Sequence, residues 1–219
     1  MCYTFQHGVK ENRRLLIELL IGTGNVSKFR RYKRLVEDHP RQAFTVVSVH
    51  EVGGPLSVAE DGATARENAV QKASAYAQAY GLVTLAIDEA LYIHGLEEHD
   101  QPGTYVRRQH GRTLSDEEVL AYFINKVKRI PPRGRSVTWI YALGLAHPDG
   151  WVTVNDVRLD GGIGVEPVMP ILPGYPLSSI LVHKATGKVH RELTDFEEMQ
   201  RLDGVRQCLY ELLDSATAT

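Results

Sequence analysis

With 219 residues, 43% of them hydrophobic and 24% charged, the chain has the composition of an ordinary globular protein with one continuous core. Its formal net charge of −2 gives no global electrostatic ground for binding nucleic acid or an anionic membrane, and neither partner is expected. Its two cysteines, Cys2 and Cys208, form no Cys-x-x-Cys pair, which argues against a disulfide framework or a cysteine zinc site and fits a reducing, cytoplasmic setting.

Residues 1–14 are polar and mixed, and read as a flexible or loosely docked extension to a single domain over 15–219. Arg13-Arg14 before "LLIELLIG" has the look of a signal peptide, but Glu18 interrupts the apolar run and no small-residue cleavage site comes after it. No apolar run approaches the roughly 18 residues of a membrane span. Leu15–Ile21 is short, apolar and ended by glycines, the pattern of a buried strand. Asn25 caps a helix predicted over 26–38. A β-branched strand follows at 43–49, then a Gly-Gly-Pro loop, then an Ala-rich helix from Thr64 to Tyr80 stopped by Gly81, then a third strand over 82–87. This alternation predicts an α/β fold, a sheet with flanking helices.

The polar stretch 97–113 reads as an exposed loop, and Ser115 with Glu118 forms a capping-box pattern at the start of another helix. Strands at 136–146 and 151–159 flank the turn His147-Pro148-Asp149-Gly150 as an antiparallel hairpin. After a Gly/Pro-rich stretch, strand-like segments 178–184 and 188–193 flank Ala185-Thr186-Gly187, and residues 195–213 read as one closing helix. There is no internal repeat.

Three segments carry candidate chemistry. "IGTGNVSK" (21–28) is a strand, a glycine turn and a helix start. It is either plain architecture or a phosphate cradle, since the unpaired N–H groups and the positive dipole end point the same way and Lys28 stands beside them. It is neither a Walker A loop nor a complete G-x-G-x-x-G fingerprint. In "AEDGATARENAVQK", Glu60 and Asp61 precede a turn, and Asn68 and Lys72 share a helix face; a solvated helix start accounts for the same pattern. Asp88 closes the apolar run "LAI", at the carboxyl end of a strand, where α/β sheets gather ligand sites, although it can also simply cap the next segment. Elsewhere, "KFRRYKR" (28–34) reads as a solvated helix face, His94, His99 and His110 as exposed loop histidines, and Trp139 and Tyr141 as core or interface residues.

Together, "TGNVSK", "EDG" with "ENAVQKA", the strand ending in Asp88, "PGTYVRR" and "GGIGVEP" occur in the order of the motifs of the inosine triphosphate pyrophosphatases, the hydrolases of non-canonical purine nucleoside triphosphates. The resemblance spans roughly residues 17–213 and is more specific in its first half. It implies a two-lobed α/β protein with a mixed sheet around a central cleft, usually a homodimer, that uses Mg²⁺ to hydrolyse a nucleoside triphosphate to the monophosphate and pyrophosphate. By this resemblance Thr23, Asn25 and Lys28 match the family's Thr-x-Asn-x-x-Lys phosphate contacts. Asn68 and Lys72 match its Glu-Asn-Ala-x-x-Lys helix, and Arg108 matches the arginine ending Pro-Gly-x-Tyr-Ser-Ala-Arg. Glu60 and Asp88 match its metal and catalytic acids.

The departures bear on both metal and base. Ile87 stands where the family has the first acid of Asp-Asp-Ser-Gly, and Glu89 replaces its serine as a possible compensating metal ligand. The family's Gly-Gly-Phe-Gly-Tyr-Asp-Pro appears as Gly161-Gly162-Ile163-Gly164-Val165-Glu166-Pro167, so Ile163, Val165 and Glu166 occupy the base-binding positions without an aromatic ring. Arg206 is a loose counterpart of the C-terminal arginine. The expected activity is a Mg²⁺-dependent nucleotide pyrophosphatase of altered base specificity. The rivals are a catalytically weak or inactive family member that binds a nucleotide or a partner, and a phosphohydrolase of a non-purine metabolite.

Overall fold

The computed structural model describes residues 16–109 and 111–217. The expected extension over 1–14 and His110 lie outside the described residues. Strand β1 (Ile17–Ile21) is flanked on both sides by parallel neighbours, β2 (Phe44–Ser48) and β3 (Val83–Ile93). Its run of apolar residues follows from burial on both faces: Leu19, Leu20 and Ile21 are fully buried. From β3 onward the sheet is antiparallel, through β6 (Ser136–Ala146), β7 (Val152–Ile163) and the short β8 (Leu181–His183); β4 (Arg108–Gln109) and β5 (Arg112–Thr113) form a separate hairpin. The order β2-β1-β3-β6-β7-β8 makes one mixed sheet, as the family resemblance implies.

Helix α1 (Val26–Glu37) joins β1 to β2, and α2 (Val49–Val52) with α3 (Ala65–Tyr80) joins β2 to β3. On one face α1 buries Tyr32, Leu35 and Val36 against the C-terminal helix α6 (Asp203–Ala216) and the inner residues of β1, β3 and β6. On the other face α3 lays Ala65, Ala69, Ala73 and Ala77, an i,i+4 stripe, onto Ala86, Ala90, Ala142 and Ala146. Small residues on both sides let helix and sheet approach closely. A Cβ built on Gly144 would stand 2.7 Å from the Ala69 carbonyl oxygen, so this position tolerates no side chain. A second core forms where α4 (Asp116–Val127) packs Val119, Leu120 and Phe123 against Leu91, Ile93 and Ile180. Strands β3, β6 and β7 pass through both cores, and Trp139 packs against each.

Several elements differ from expectation; β7 runs past 159 to Ile163, and the stretch 97–113 holds the β4-β5 hairpin. The third strand does not stop at Ile87 but runs to Ile93, because residues 88–93 keep pairing with β6, so Asp88 lies within a strand and not at its end. Residues 188–193 form a 3₁₀ turn over His190–Glu192 instead of a strand; only Val189 bridges, to Val182. The closing helix is broken at Leu202, which is itself buried, into α5 (Asp195–Arg201) and α6.

Candidate active site

The cleft arises from unequal strand lengths. β1 pairs with β3 only as far as Leu85, and the next contact on that edge of β3 is Leu91 with Gly103. Between them Ile87, Asp88 and Glu89 border a cleft of about 280 Å³ that opens at the carboxyl end of β1. There the chain leaves through Gly22-Thr23-Gly24 into α1. The Asn25 side chain accepts from the N–H groups of Ser27 at 2.9 Å and Lys28 at 3.1 Å, and Thr23 Oγ1 accepts from Asn25 N–H at 3.2 Å. These caps satisfy three of the N–H donors a phosphate cradle would use. What α1 offers an anion is therefore its dipole and the Lys28 ammonium more than bare N–H groups.

On the α3 side, the Lys72 ammonium lies 2.8 Å from Asp88 Oδ1 and 3.0 Å from Glu60 Oε1. Burial would lower the Lys72 pKa, but the two carboxylates raise it, so it is a fixed cation. Burial likewise acts to raise Glu60, and is outweighed by Lys72, then Arg108 and Lys28, which hold it below the usual carboxylate range. Arg108 Nη2 donates to Glu60 Oε2 at 2.9 Å and to the Glu60 carbonyl at 3.2 Å, fixing the turn that carries this acid. Asn68 stands behind the cluster, fully buried. Its Nδ2 donates to Asp88 Oδ2 at 3.1 Å and its Oδ1 accepts from Gly62 N–H at 2.9 Å. It does not line the cleft, and its two hydrogen bonds position Asp88 and Gly62.

Glu89, next to Asp88 on an extended strand, points to the other side of it. It lies 3.2 Å from Lys28 Nζ, and its other oxygen accepts from Trp139 Nε1 at 3.2 Å. Burial acts to raise its pKa, but the Lys28 and Arg31 cations and the indole hydrogen bond hold it low. Glu89 thus pairs with the cradle lysine instead of joining Glu60 and Asp88. Among the described residues no group of three or more His, Cys, Asp or Glu side chains is placed to hold a metal. Glu60 and Asp88 do converge on one cation, and two carboxylates suffice for Mg²⁺, which keeps waters and takes phosphate oxygens.

The far end of the cleft is aromatic and cationic, lined by Arg31, Trp139, Tyr141, Tyr175, His190 and Arg201. Arg31 lies 4.1 Å above the Tyr175 ring centroid and 3.3 Å from Glu198 Oε1. Arg201 grips Glu198 through two hydrogen bonds of 2.7 and 2.8 Å and reaches the Tyr141 hydroxyl at 3.2 Å. Burial, with Arg201 beside it, pushes His190 down to about 2, so it is neutral. The segment bearing Tyr175 is strapped to α1: Ser27 Oγ donates to the Pro173 carbonyl at 2.7 Å and Asn25 Nδ2 to that of Gly174 at 3.3 Å. Gly174, at φ +81°, packs so tightly that a Cβ would lie 2.8 Å from Asn25 Oδ1.

The residues expected at the base position lie elsewhere. Ile163 and Val165 belong to the second core, Glu166 is exposed, and Arg206 pairs with Asp203 on α6; none lines the cleft. The overlooked signal is Gly174-Tyr175-Pro176, which is closer to the family's Gly-Tyr-Asp-Pro than Gly164-Val165-Glu166-Pro167 is. The basic run 28–34 is not wholly solvated either, because Arg31 and Tyr32 turn inward. Trp139 and Tyr141 pack in or against the core, as expected, and also wall the cleft. His94 and His99 are exposed, as expected.

The chain is similar to known proteins over most of its length. The family model described as the Ham1 family matches residues 19–205. A Bacillus subtilis protein named dITP/XTP pyrophosphatase is 28% identical over 204 residues, 92% of this chain and 99% of its own. One of the same name from Geobacter sulfurreducens is 29% identical over 163 residues, 70% of this chain and 79% of its own. A crystal structure of a nucleoside-triphosphatase, dITP/XTP pyrophosphatase, from Mycobacterium abscessus superposes with a TM-score of 0.65 at 25% identity, covering 90% of this chain and 99% of its own. With a family-model match running from β1 into α6, the chain belongs to the Ham1 family.

Proposed function

We propose that the protein is a nucleoside triphosphate pyrophosphatase that releases pyrophosphate and a monophosphate, acting on non-canonical purine nucleotides with its own base preference. We further propose that it depends on Mg²⁺ and works as a cytoplasmic homodimer. The observation that carries the activity is the pair of carboxylates, Glu60 and Asp88, bridged by Lys72 in the same cleft as Lys28 and Arg108.

Phosphoryl hydrolysis needs positioning and charge neutralisation above all. Lys28, at the start of α1, and Arg108, above Glu60, supply fixed cations on two walls of the cleft, and Lys72 supplies a third on its floor. Asp88, hydrogen-bonded by Asn68 and Lys72, would take a proton from an attacking water, with Glu60 as its partner. Glu60 and Asp88 would hold Mg²⁺, which neutralises phosphate charge and lowers the pKa of bound water. Ile87, fully buried in the first core, contributes no acid.

The test is pyrophosphate release from a panel of purine and pyrimidine triphosphates with Mg²⁺, using Asp88→Asn as control. Turnover lost by a factor of about 100 or more in the control supports the reading. A folded protein that binds nucleotides but turns over none would favour a binding role instead.

A further inference from the structure

The missing aromatic of the family's base motif leaves the far end of the cleft to be explained by its own residues. Arg31 is distinctive there. Among the described residues its one hydrogen bond runs from Nη2 to Glu198 Oε1, which uses one Nη2 hydrogen and leaves a two-donor edge, the other Nη2 hydrogen with either Nε or Nη1. The guanidinium carbon lies 4.1 Å from the Tyr175 ring centroid, and the side chain is 17% exposed and lines the cleft. Its charge is balanced by Glu198, with Glu89 close enough to act on it as well. A second anion here would meet both carboxylates, so a neutral group with two adjacent acceptors is the better complement. Lys28 and Arg31 are three residues apart on α1 and both line the cleft, so one ligand can meet Lys28 with its phosphates and Arg31 with its far group.

We infer that Arg31, seated on Tyr175 and steadied by Glu198, reads the O6/N7 edge of a 6-oxopurine. This rests on the proposed nucleotide pyrophosphatase activity. A guanidinium fork matches those two acceptors, and the pairing is the commonest specific arginine contact to a base. Adenine presents N7 with an amino group where O6 would be, setting donor against donor. The contact favours every 6-oxopurine, so Arg31 by itself does not separate hypoxanthine from guanine. Arg31 is a specificity residue and takes no part in bond cleavage.

The experiment compares wild type with Arg31→Lys, which keeps the charge but loses the fork, and with Tyr175→Leu, which removes the platform and leaves the ion pair. The measured quantity is the ratio of kcat/KM for inosine triphosphate over adenosine triphosphate. A contact of this kind corresponds to a fall of about tenfold or more in Arg31→Lys, with a smaller fall in Tyr175→Leu and unchanged affinity for inorganic tripolyphosphate, which needs only the Lys28 end. An unchanged ratio in both folded variants overturns the inference, as does weakened tripolyphosphate binding with the ratio intact. If wild type cleaves no triphosphate, the activity reading fails separately. The Arg31 inference is then tested by equilibrium binding of inosine and adenosine monophosphates to the same proteins. It stands if wild type prefers inosine monophosphate and Arg31→Lys does not, and falls if there is no preference or no binding.

Discussion

Lys72 Nζ stands 2.8 Å from Asp88 Oδ1, with both side chains largely withdrawn from water. Removing the ammonium by Lys72→Met leaves Asp88 in place with one remaining donor, Asn68. Breaking a buried pair from one side costs about 3 kcal/mol or more, because the surviving charge stays desolvated. The expected outcome is a clear drop in the urea midpoint of unfolding together with loss of turnover. Full stability in Lys72→Met would show that the pair is solvated in solution.

Acid should weaken the fold through the same cluster. The Glu60 carboxyl is held below its unfolded value of 4.5 chiefly by Lys72, against the opposing effect of burial, and Glu89 and Glu198 are lowered by their own cations. For a depressed carboxylate the unfolded state binds more protons, so its contribution is present above pH 4.5 and is lost as pH falls through the folded value. Urea midpoints should be level from pH 7 to about 5 and fall below that, with a shallower fall in Glu60→Gln. A midpoint that rises on acidification would contradict this account.

Gly144→Ala tests the alanine seam. The added methyl meets the Ala69 carbonyl oxygen at 2.7 Å, backbone against backbone, where neither α3 nor β6 can yield alone. Overpacking of this kind costs about 1–3 kcal/mol. Thermal unfolding should show a lowered midpoint; an unchanged midpoint would mean that α3 rides higher on the sheet.

Glu89→Gln should free Lys28. The carboxylate occupies the cradle lysine and adds negative charge beside the space a phosphate would take. Titration with inorganic tripolyphosphate should show binding tightened several-fold, by roughly 1 kcal/mol. Weaker binding in the variant would mean that Glu89 serves to aim Lys28 and does not compete for it.

Much of this was legible in the sequence because it is local. The caps at Asn25 and Ser115, the stop at Gly81 and the strand-helix alternation follow from neighbours a few residues apart. Glu60, Lys72 and Asp88 were found through linear motifs, and the fold brings them together. The illegible part depends on distant partners. Arg31 can turn inward only because Glu198 and Tyr175 meet it there, far along the chain. The extent of β3 was hidden because Asp88 and Glu89 look like a strand end until α3 and α1 supply a cation for each. The break at Leu202 answers to its burial, which no helical periodicity announces.

The three strands shared by both cores set how the molecule can move. β3 and β6 have eleven residues each and β7 has twelve, so each spans about 35–40 Å and is anchored at both ends in packed side chains. Among the described residues the two cores are joined by three continuous strands, so closure is not taken up by the few dihedrals of one loop. Narrowing the cleft must bend and twist a three-ply ribbon along its length, as one flexes a leaf spring. The restoring force is then spread over many backbone hydrogen bonds, and the resting gap between α1 and α3 is an elastic property of the sheet.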